Sequence, residues 1–327
     1  MTNGMGFSDV EKIANAVLYE GYMLYPYRSS SIKNQQRWNF GTLYPAEFAA
    51  VQRPAESSSM ITECLARPSA TAKLEVRVRF LELAQRSGTS MEWEEGFEKS
   101  ADFGVMLDEL IEQPQVFKLR FEAQKSVDER DAAAYYLQQS LSGSLRISAE
   151  TLPARVYKLH FELENDTALE NPAELTRAEA MRKAFVSAHL LLQISGGEFV
   201  SLLETPDEFR EAAAGCRNVG AFPVLVGPEG ERTRMLSSPI ILYDYPQVAP
   251  ESAGDFFDGT EMDEMLALRV MTLTDDEKQE MRLGDSRARA ILERTESLPQ
   301  EHLMKVHGAI RGMRKVQDGE QEREDGL

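Results

Sequence analysis

Between Tyr22 and Tyr44 the chain interleaves aromatic rings with cations and amides. Tyr25, Tyr27, Trp38 and Tyr44 alternate with Arg28, Lys33 and Arg37, and with Ser30, Asn34 and Gln36. Arginine engages carboxylate or phosphate through a planar fork, and aromatic rings add rigid contact area at little entropic cost. Such a cluster can hold a nucleotide-like anion, the end of a nucleic acid or an acidic protein segment. It can equally form a small core beneath a long loop, its cations paired with acids from the rest of the chain. Long loops often carry function, so these residues are the first candidates for a binding site.

Other routes to chemistry are poorly supplied. The sequence has no G-x-x-x-x-G-K-[ST] phosphate loop, no G-x-G-x-x-G after a strand, no H-E-x-x-H and no G-x-S-x-G elbow. Its four histidines are His160, His189, His302 and His307, and the last two are spaced for different helix faces. His189, among Ala188, Leu190 and Leu191, reads as a hydrogen-bonded core histidine. The acids Asp255, Asp258, Glu261, Asp263 and Glu264 could gather a hard cation. Three of them are better explained as first-turn residues favoured by a helix dipole. Cys64 reads as a small apolar residue on a helix or turn, and Cys216 has Arg217 beside it but no base. No metal and no cofactor is expected.

The charge balance narrows the partners. The 327 residues hold 36 Lys+Arg against 54 Asp+Glu, a formal net charge of -18. Residues 1–90 carry 10 basic and 8 acidic side chains, whereas residues 91–115 carry 8 acids and only Lys99. The acidity therefore belongs to the last three quarters of the chain. It argues against general affinity for nucleic acid or anionic membrane. No apolar run approaches the roughly 20 residues of a membrane span, and the opening MTNGMGFSDVEK lacks the basic flank and apolar stretch of a secretory signal. With two cysteines in 327 residues, a reducing cytoplasm is the expected compartment.

The elements that must position these residues show in the hydropathy pattern. Leu74–Phe80, Phe117–Glu122 and Val156–Glu162 alternate with a period of two. Leu74, Val76, Val78, Phe80, Phe117, Leu119, Phe121, Tyr157, Leu159 and Phe161 would face a core. Arg77, Arg79, Lys118, Arg120, Lys158 and His160 would face outward, giving one antiparallel sheet with a basic wet face. The acidic Trp93–Glu112 segment is the expected internal cover for that face. Helices are expected over 9–20 behind the Ser8/Glu11 capping box, over Thr176–Leu192, over Met262–Met271, from Thr274 to about Glu293, and over 300–315. Asp128–Leu141 is Ala-rich and helix-competent. Ser195-Gly196-Gly197 reads as a turn, Phe199–Leu203 and Pro239–Tyr243 as short strands, and Phe222–Val226 with Arg232–Leu236 as a hairpin. Val316–Leu327 has the composition of a disordered acidic tail.

Three strings carry a resemblance. They are Tyr22-Met-Leu-Tyr-Pro-Tyr-Arg28 with Lys33-Asn34, Arg37-Trp38 and Phe40-Gly41; Gly197-Glu-Phe-Val-Ser-Leu-Leu203; and Tyr243-Asp-Tyr-Pro-Gln-Val-Ala-Pro-Glu-Ser252. Together they resemble a little-characterised bacterial family of accessory proteins from nickel–iron hydrogenase gene clusters. The resemblance implies a context, the assembly or maturation of a metalloenzyme, with hydrogenase subunits or maturation factors as partners. It implies no catalytic residue, and it adds Asp244, Tyr245 and Glu251 to the candidate binding residues. The chain has no His-rich tract and no cysteine pair, so protein binding fits that context better than metal delivery.

The expectation is therefore an α+β protein. It has an antiparallel-sheet domain over 1–170, a mixed domain over 171–315 ending in acidic helices, and a tail over 316–327. Its expected role is that of a cytoplasmic protein-binding accessory factor. The alternative is an enzyme acting on an anionic small molecule or nucleotide clamped by Arg28, Lys33 and Arg37.

Overall fold

The structure is a computed structural model that describes residues 7, 10–20, 22, 26–28, 31, 34, 40–88, 93–129, 131–247 and 263–297. Its centre is one strand, β1, running over Ser59–Ser87. Leu74, Val76, Val78 and Phe80 stand on one face of it and are fully buried, as their alternation predicts. β2 (Glu94–Met106), β3 (Gln115–Phe121), β4 (Gln124–Asp128), β5 (Asp131–Gln138), β6 (Leu141–Leu152), β7 (Val156–Asn165), β8 (Val186–Val200), β9 (Phe222–Leu225) and β10 (Arg234–Ser238) complete a ten-stranded sheet. All its pairings are antiparallel, and it has a half-barrel curl.

One edge of β1 pairs first with β7 and then with β2, and the opposite edge pairs with β8 and then β5. A strand this long must bend to serve four neighbours. It does so where residues 69–72 lie opposite Gly196 alone. Gly196 has φ +75°, and a Cβ there would sit 2.9 Å from the Thr71 carbonyl oxygen, so only glycine fits the bulge. The expected turn at Ser195–Gly197 is thus a bulge inside a strand. The boundary drawn at residue 170 falls between β7 and β8, which join the same sheet through β1.

The short helices are α1 (Glu11–Tyr19), α2 (Ala46–Val51), α3 (Leu107–Glu112), α4 (Arg177–Met181) and α5 (Arg210–Ala214). Three more follow near the C-terminal end: α6 (Asp263–Met271), α7 (Asp275–Leu283) and α8 (Ser286–Glu296). With 25% helix and 44% strand, the chain is α+β but mostly sheet.

Much of the basic row is paired with acids of the same chain. Arg77 lies opposite Asp102 of β2 and binds it at 2.7 Å; Lys158 lies opposite Glu150 of β6 at 3.1 Å. Arg79 reaches Glu98 at 2.6 Å and Asn15 of α1 at 2.6 Å, while Lys118 reaches Asp166 at 3.1 Å. The acidic 93–112 segment does supply partners, but as strand β2 followed by the short α3 and not as a covering helix. Arg79, expected to face water, is buried beneath α1.

Other differences follow from tertiary context. The Ala-rich 128–141 stretch is strand β5: Ala134, Tyr136 and Gln138 alternate inward, and pairing with β4 and β1 outweighs alanine's helix propensity. The Thr176/Glu179 capping box exists, yet α4 ends at Met181, and the apolar run from Val186 is a strand buried on both faces. Such a run has no period to separate helix from strand. Thr274–Glu293 is two helices, because Gly284 closes α7 and Asp285 caps α8. Cys64 stands in β1, and Pro239–Tyr243 lies outside the sheet. The Ser8–Asp9 cap, Thr260, the 300–315 helix and the 316–327 tail lie outside the described residues.

Helices α6–α8 share a core with Tyr19, Tyr22, Tyr27, Tyr44, Leu81 and Leu83. A buried polar network ties this core to the sheet. Tyr22 Oη donates to Asp285 Oδ2 at 2.5 Å and accepts from the Gly96 N–H at 2.8 Å. Ser286 Oγ donates to Glu95 Oε1 at 2.8 Å, and Tyr136 Oη donates to Glu95 Oε2 at 2.5 Å. Arg287 bonds the Tyr19 hydroxyl and lies over that ring, 4.0 Å from its centre. At the end of β1, buried Arg86 binds buried Asp128 at 2.7 Å and covers the Trp93 ring at 4.2 Å.

Candidate functional site

The candidate binding residues fall into separate places. Tyr25, Ser30, Lys33, Arg37, Trp38 and Glu251 lie outside the described residues. Tyr27 is buried in the tyrosine-rich core with φ +59°. Arg28 turns onto α7, where its guanidinium lies 3.1 Å from Glu277 and 3.5 Å from Glu280. Buried Asn34 donates from Nδ2 to the Arg28 carbonyl at 3.0 Å. Tyr22, Tyr27, Asn34 and Tyr44 of the cationic loop are thus buried, and its described arginine is held by acids of the same chain. Glu277 is held below the usual carboxylate range, first by its capping bonds to Thr274 and then by Arg28.

Asp244 and Tyr245 act as a staple. Asp244 Oδ2 accepts from Ser201 Oγ at 2.5 Å and Oδ1 accepts from the Leu225 N–H at 2.8 Å. The Tyr245 N–H donates to the Leu225 carbonyl at 2.7 Å, with φ +54°. Together they anchor the preceding extended segment against β9. In that segment Ile240 and Leu242 pack on the core shared with α1, whereas Ile241 and Tyr243 are 90% and 87% exposed.

Pro239, at the start of this segment, lines a cleft of about 510 Å³. The far end of the aromatic loop, Phe40–Leu43, forms another wall, and Ala55, Glu56, Ser57, Ser59, Gly220 and Arg177 complete it. Gly41 (φ +57°) lets the chain pass so close to Pro239 that a Cβ would sit 2.6 Å from its ring. Arg177 Nε donates to Glu56 at 2.9 Å, and its guanidinium stands 5.5 Å from the centre of the Tyr44 ring. A second cleft of about 670 Å³ is lined by residues 168–171, Glu174 and Leu175 with Gln139, Glu179, Arg182 and Lys183. Neither cleft is lined by a histidine or a cysteine.

No family model and no curated protein matches this chain.

The remaining chemical groups are locked away. His189, in β8 opposite Arg79 of β1, is fully buried, and its Nδ1–H donates to the Ser187 carbonyl at 2.8 Å. Burial pushes its pKa down to about 3, the neighbouring Arg79 charge adds to the fall, and the Ser187 bond opposes it. The imidazole is therefore neutral across the physiological range. Proton NMR should show no His189 titration between about pH 5 and pH 8; a midpoint inside that window would mean that the site admits water. Cys64 is fully buried and Cys216 is pushed up to about 11 by burial and by Glu63, so neither is a ready thiolate. Among the described residues, no group of three His, Cys, Asp or Glu side chains could hold a metal ion.

Thr42, Glu56, Arg177 and Ile241 escaped the sequence reading. One signal was present for Arg177: it opens a helix, where a cation meets the unfavourable end of the dipole.

Proposed function

We propose that this protein is a cytoplasmic accessory factor that binds another protein during the assembly or maturation of a nickel–iron hydrogenase. The hydrogenase context rests on the resemblance of the Tyr22–Arg28, Gly197–Leu203 and Tyr243–Ser252 strings. The observation that supports binding is the extended segment Pro239–Tyr243, which presents Ile241 and Tyr243 almost fully to solvent. Phe40, 51% exposed, lines the same cleft as Pro239. Exposed apolar groups on a segment stapled at Asp244 and Tyr245 form a preorganised contact, which limits the ordering cost of association.

The enzyme alternative needs a base in reach of a bound anion. Arg28, the one Lys or Arg described within Tyr22–Tyr44, is engaged by Glu277 and Glu280, and the carboxylate in the nearer cleft, Glu56, is engaged by Arg177. Binding is accordingly the better supported reading. Among the described residues no helix is long and apolar enough to cross a membrane.

Affinity purification from the native host, with hydrogenase expressed, should recover hydrogenase subunits or maturation factors. The double substitution Ile241→Glu and Tyr243→Glu should reduce that recovery at least about tenfold, with the circular dichroism spectrum unchanged because both side chains are exposed. Recovery of no hydrogenase component by the native protein would reject the context. Undiminished recovery by the double variant would reject the surface.

A further inference from the structure

We infer that the Pro239–Tyr243 segment receives its partner as an added β-strand, an extended peptide with alternating apolar side chains and basic flanks. The inference rests on the protein-docking reading and deepens it by naming the form in which the partner binds. β9 is the terminal strand of the sheet beyond β8 and β10. The chain leaves β10 at Ser238, opposite Phe222, and is tied down again at Leu225, the other end of β9. The segment between those points therefore runs back along β9. The Val226 N–H donates inward to Arg234, so the backbone groups of Leu225 point to the outer edge of the sheet. There Asp244 Oδ1 takes the Leu225 N–H and the Tyr245 N–H takes its carbonyl.

The outer edge of β9 is thereby closed to a partner. Leu225 is engaged by the staple, and Pro223, the other residue facing that way, has no N–H to offer. The segment beside it is open. Its side chains alternate as a strand's do: Ile240 and Leu242 pack inward, whereas Ile241 and Tyr243 are 90% and 87% exposed. Among the described residues, the N–H and C=O groups of Ile241, Leu242 and Tyr243 have no hydrogen-bond partner. Water satisfies them in the free protein, and a partner strand replaces that water while adding side-chain contacts. β10 holds one end of the segment and the staple the other, so little ordering is left for the partner to impose.

Side chains and charge select the partner. Ile241 is β-branched and Tyr243 aromatic, and both types pair best across strands with β-branched or aromatic residues. The partner strand therefore carries such residues at every second position. A formal net charge of -18 repels a second copy of this chain and attracts a strand flanked by Lys or Arg. The occupant is accordingly a different protein, one that offers a short extended segment with basic ends.

Calorimetric titration of the full chain with acetyl-Lys-Val-Thr-Val-Thr-Val-Lys-amide tests the assignment. Two modified forms accompany it, one N-methylated at every valine and one at every threonine. Successive residues of a strand direct their N–H groups to opposite edges, so each form has one edge blocked. One form should bind at least about tenfold more weakly than the parent peptide and the other within about threefold of it. Hydrogen exchange at the amides of residues 241–243 should slow when the parent peptide binds. The Ile241→Glu and Tyr243→Glu pair should abolish that binding. Equal binding of the two methylated forms would show that no backbone edge is read and would overturn the proposal. Absence of parent binding at millimolar concentration, or undiminished binding by the double variant, would overturn it too. The docking reading fails separately: a double variant that loses hydrogenase components, beside a native protein that ignores the peptide, would leave docking in place without an added strand.

Discussion

Replacing Arg86 by alanine is expected to destabilise the fold by about 3–5 kcal/mol, read as a fall in the urea midpoint at unchanged slope. Arg86 and Asp128 are 6% and 2% exposed and bind at 2.7 Å, so the substitution leaves a carboxylate in the interior without its cation. Asp131, which Arg86 also reaches at 3.2 Å, is too exposed to share the penalty. The Arg86→Met, Asp128→Leu pair should recover most of the loss, because replacing both partners removes the stranded charge. Equal destabilisation by the single and double variants would show that the packing of Arg86 over Trp93 matters more than the ion pair.

Asp285→Ala is expected to cost about 2–4 kcal/mol, combining the loss of a helix cap with the loss of the acceptor for the buried Tyr22 hydroxyl. Asp285 Oδ1 accepts from the Arg287 N–H at 2.7 Å, the first bond of α8, and Oδ2 accepts from Tyr22. The same variant also deprives the half-buried Arg287 guanidinium of a nearby negative charge. Its effect should therefore reach beyond α8 to the docking of the whole C-terminal helical unit on the sheet, visible as faster amide exchange in α7 and α8.

Asp285 also sets a pH dependence. Burial raises its pKa above the ordinary aspartate value, and the nearby Glu95 charge raises it further, against the opposing pull of Tyr22 and Arg287. A carboxyl with a raised folded pKa binds its proton more tightly in the folded state. Its contribution is fully present below the unfolded value and is lost as pH rises through the folded one. Asp285→Asn keeps an acceptor for the cap and has no proton to lose. The stability of the native protein relative to that variant should therefore be greatest in acid and decline as pH rises. A difference that grows with pH would reverse the assigned direction.

The strands around Leu74–Phe80, Phe117–Phe121 and Val156–Phe161 were legible because alternation is a local property of a half-buried strand. The capping boxes at Thr176 and Thr274 were legible for the same reason, since each is closed by a residue three positions on. β5 was not, because alanine carries almost no information about which side of it will be covered. The helical reading of Val186–Leu192 failed because a segment buried on both faces shows apolar residues at every position. The candidate site divides the same way. Arg28 was visible as a cation among aromatics, but its partners Glu277 and Glu280 stand near the other end of the chain.

By itself the sequence determined that the chain is α+β, that its acidity begins at residue 91, and where the sheet's alternating strands lie. It also marked the Tyr22–Tyr44 segment as unusual. Only the tertiary structure decided that Tyr22, Tyr27 and Tyr44 of this segment are core, that β2 supplies the acids that bind Arg77 and Arg79, and that Thr42, Glu56 and Arg177 meet in one cleft. The physical reason is range. Alternation and caps are settled within a few residues, whereas a register or an ion pair between distant segments exists only once the sheet has brought them together.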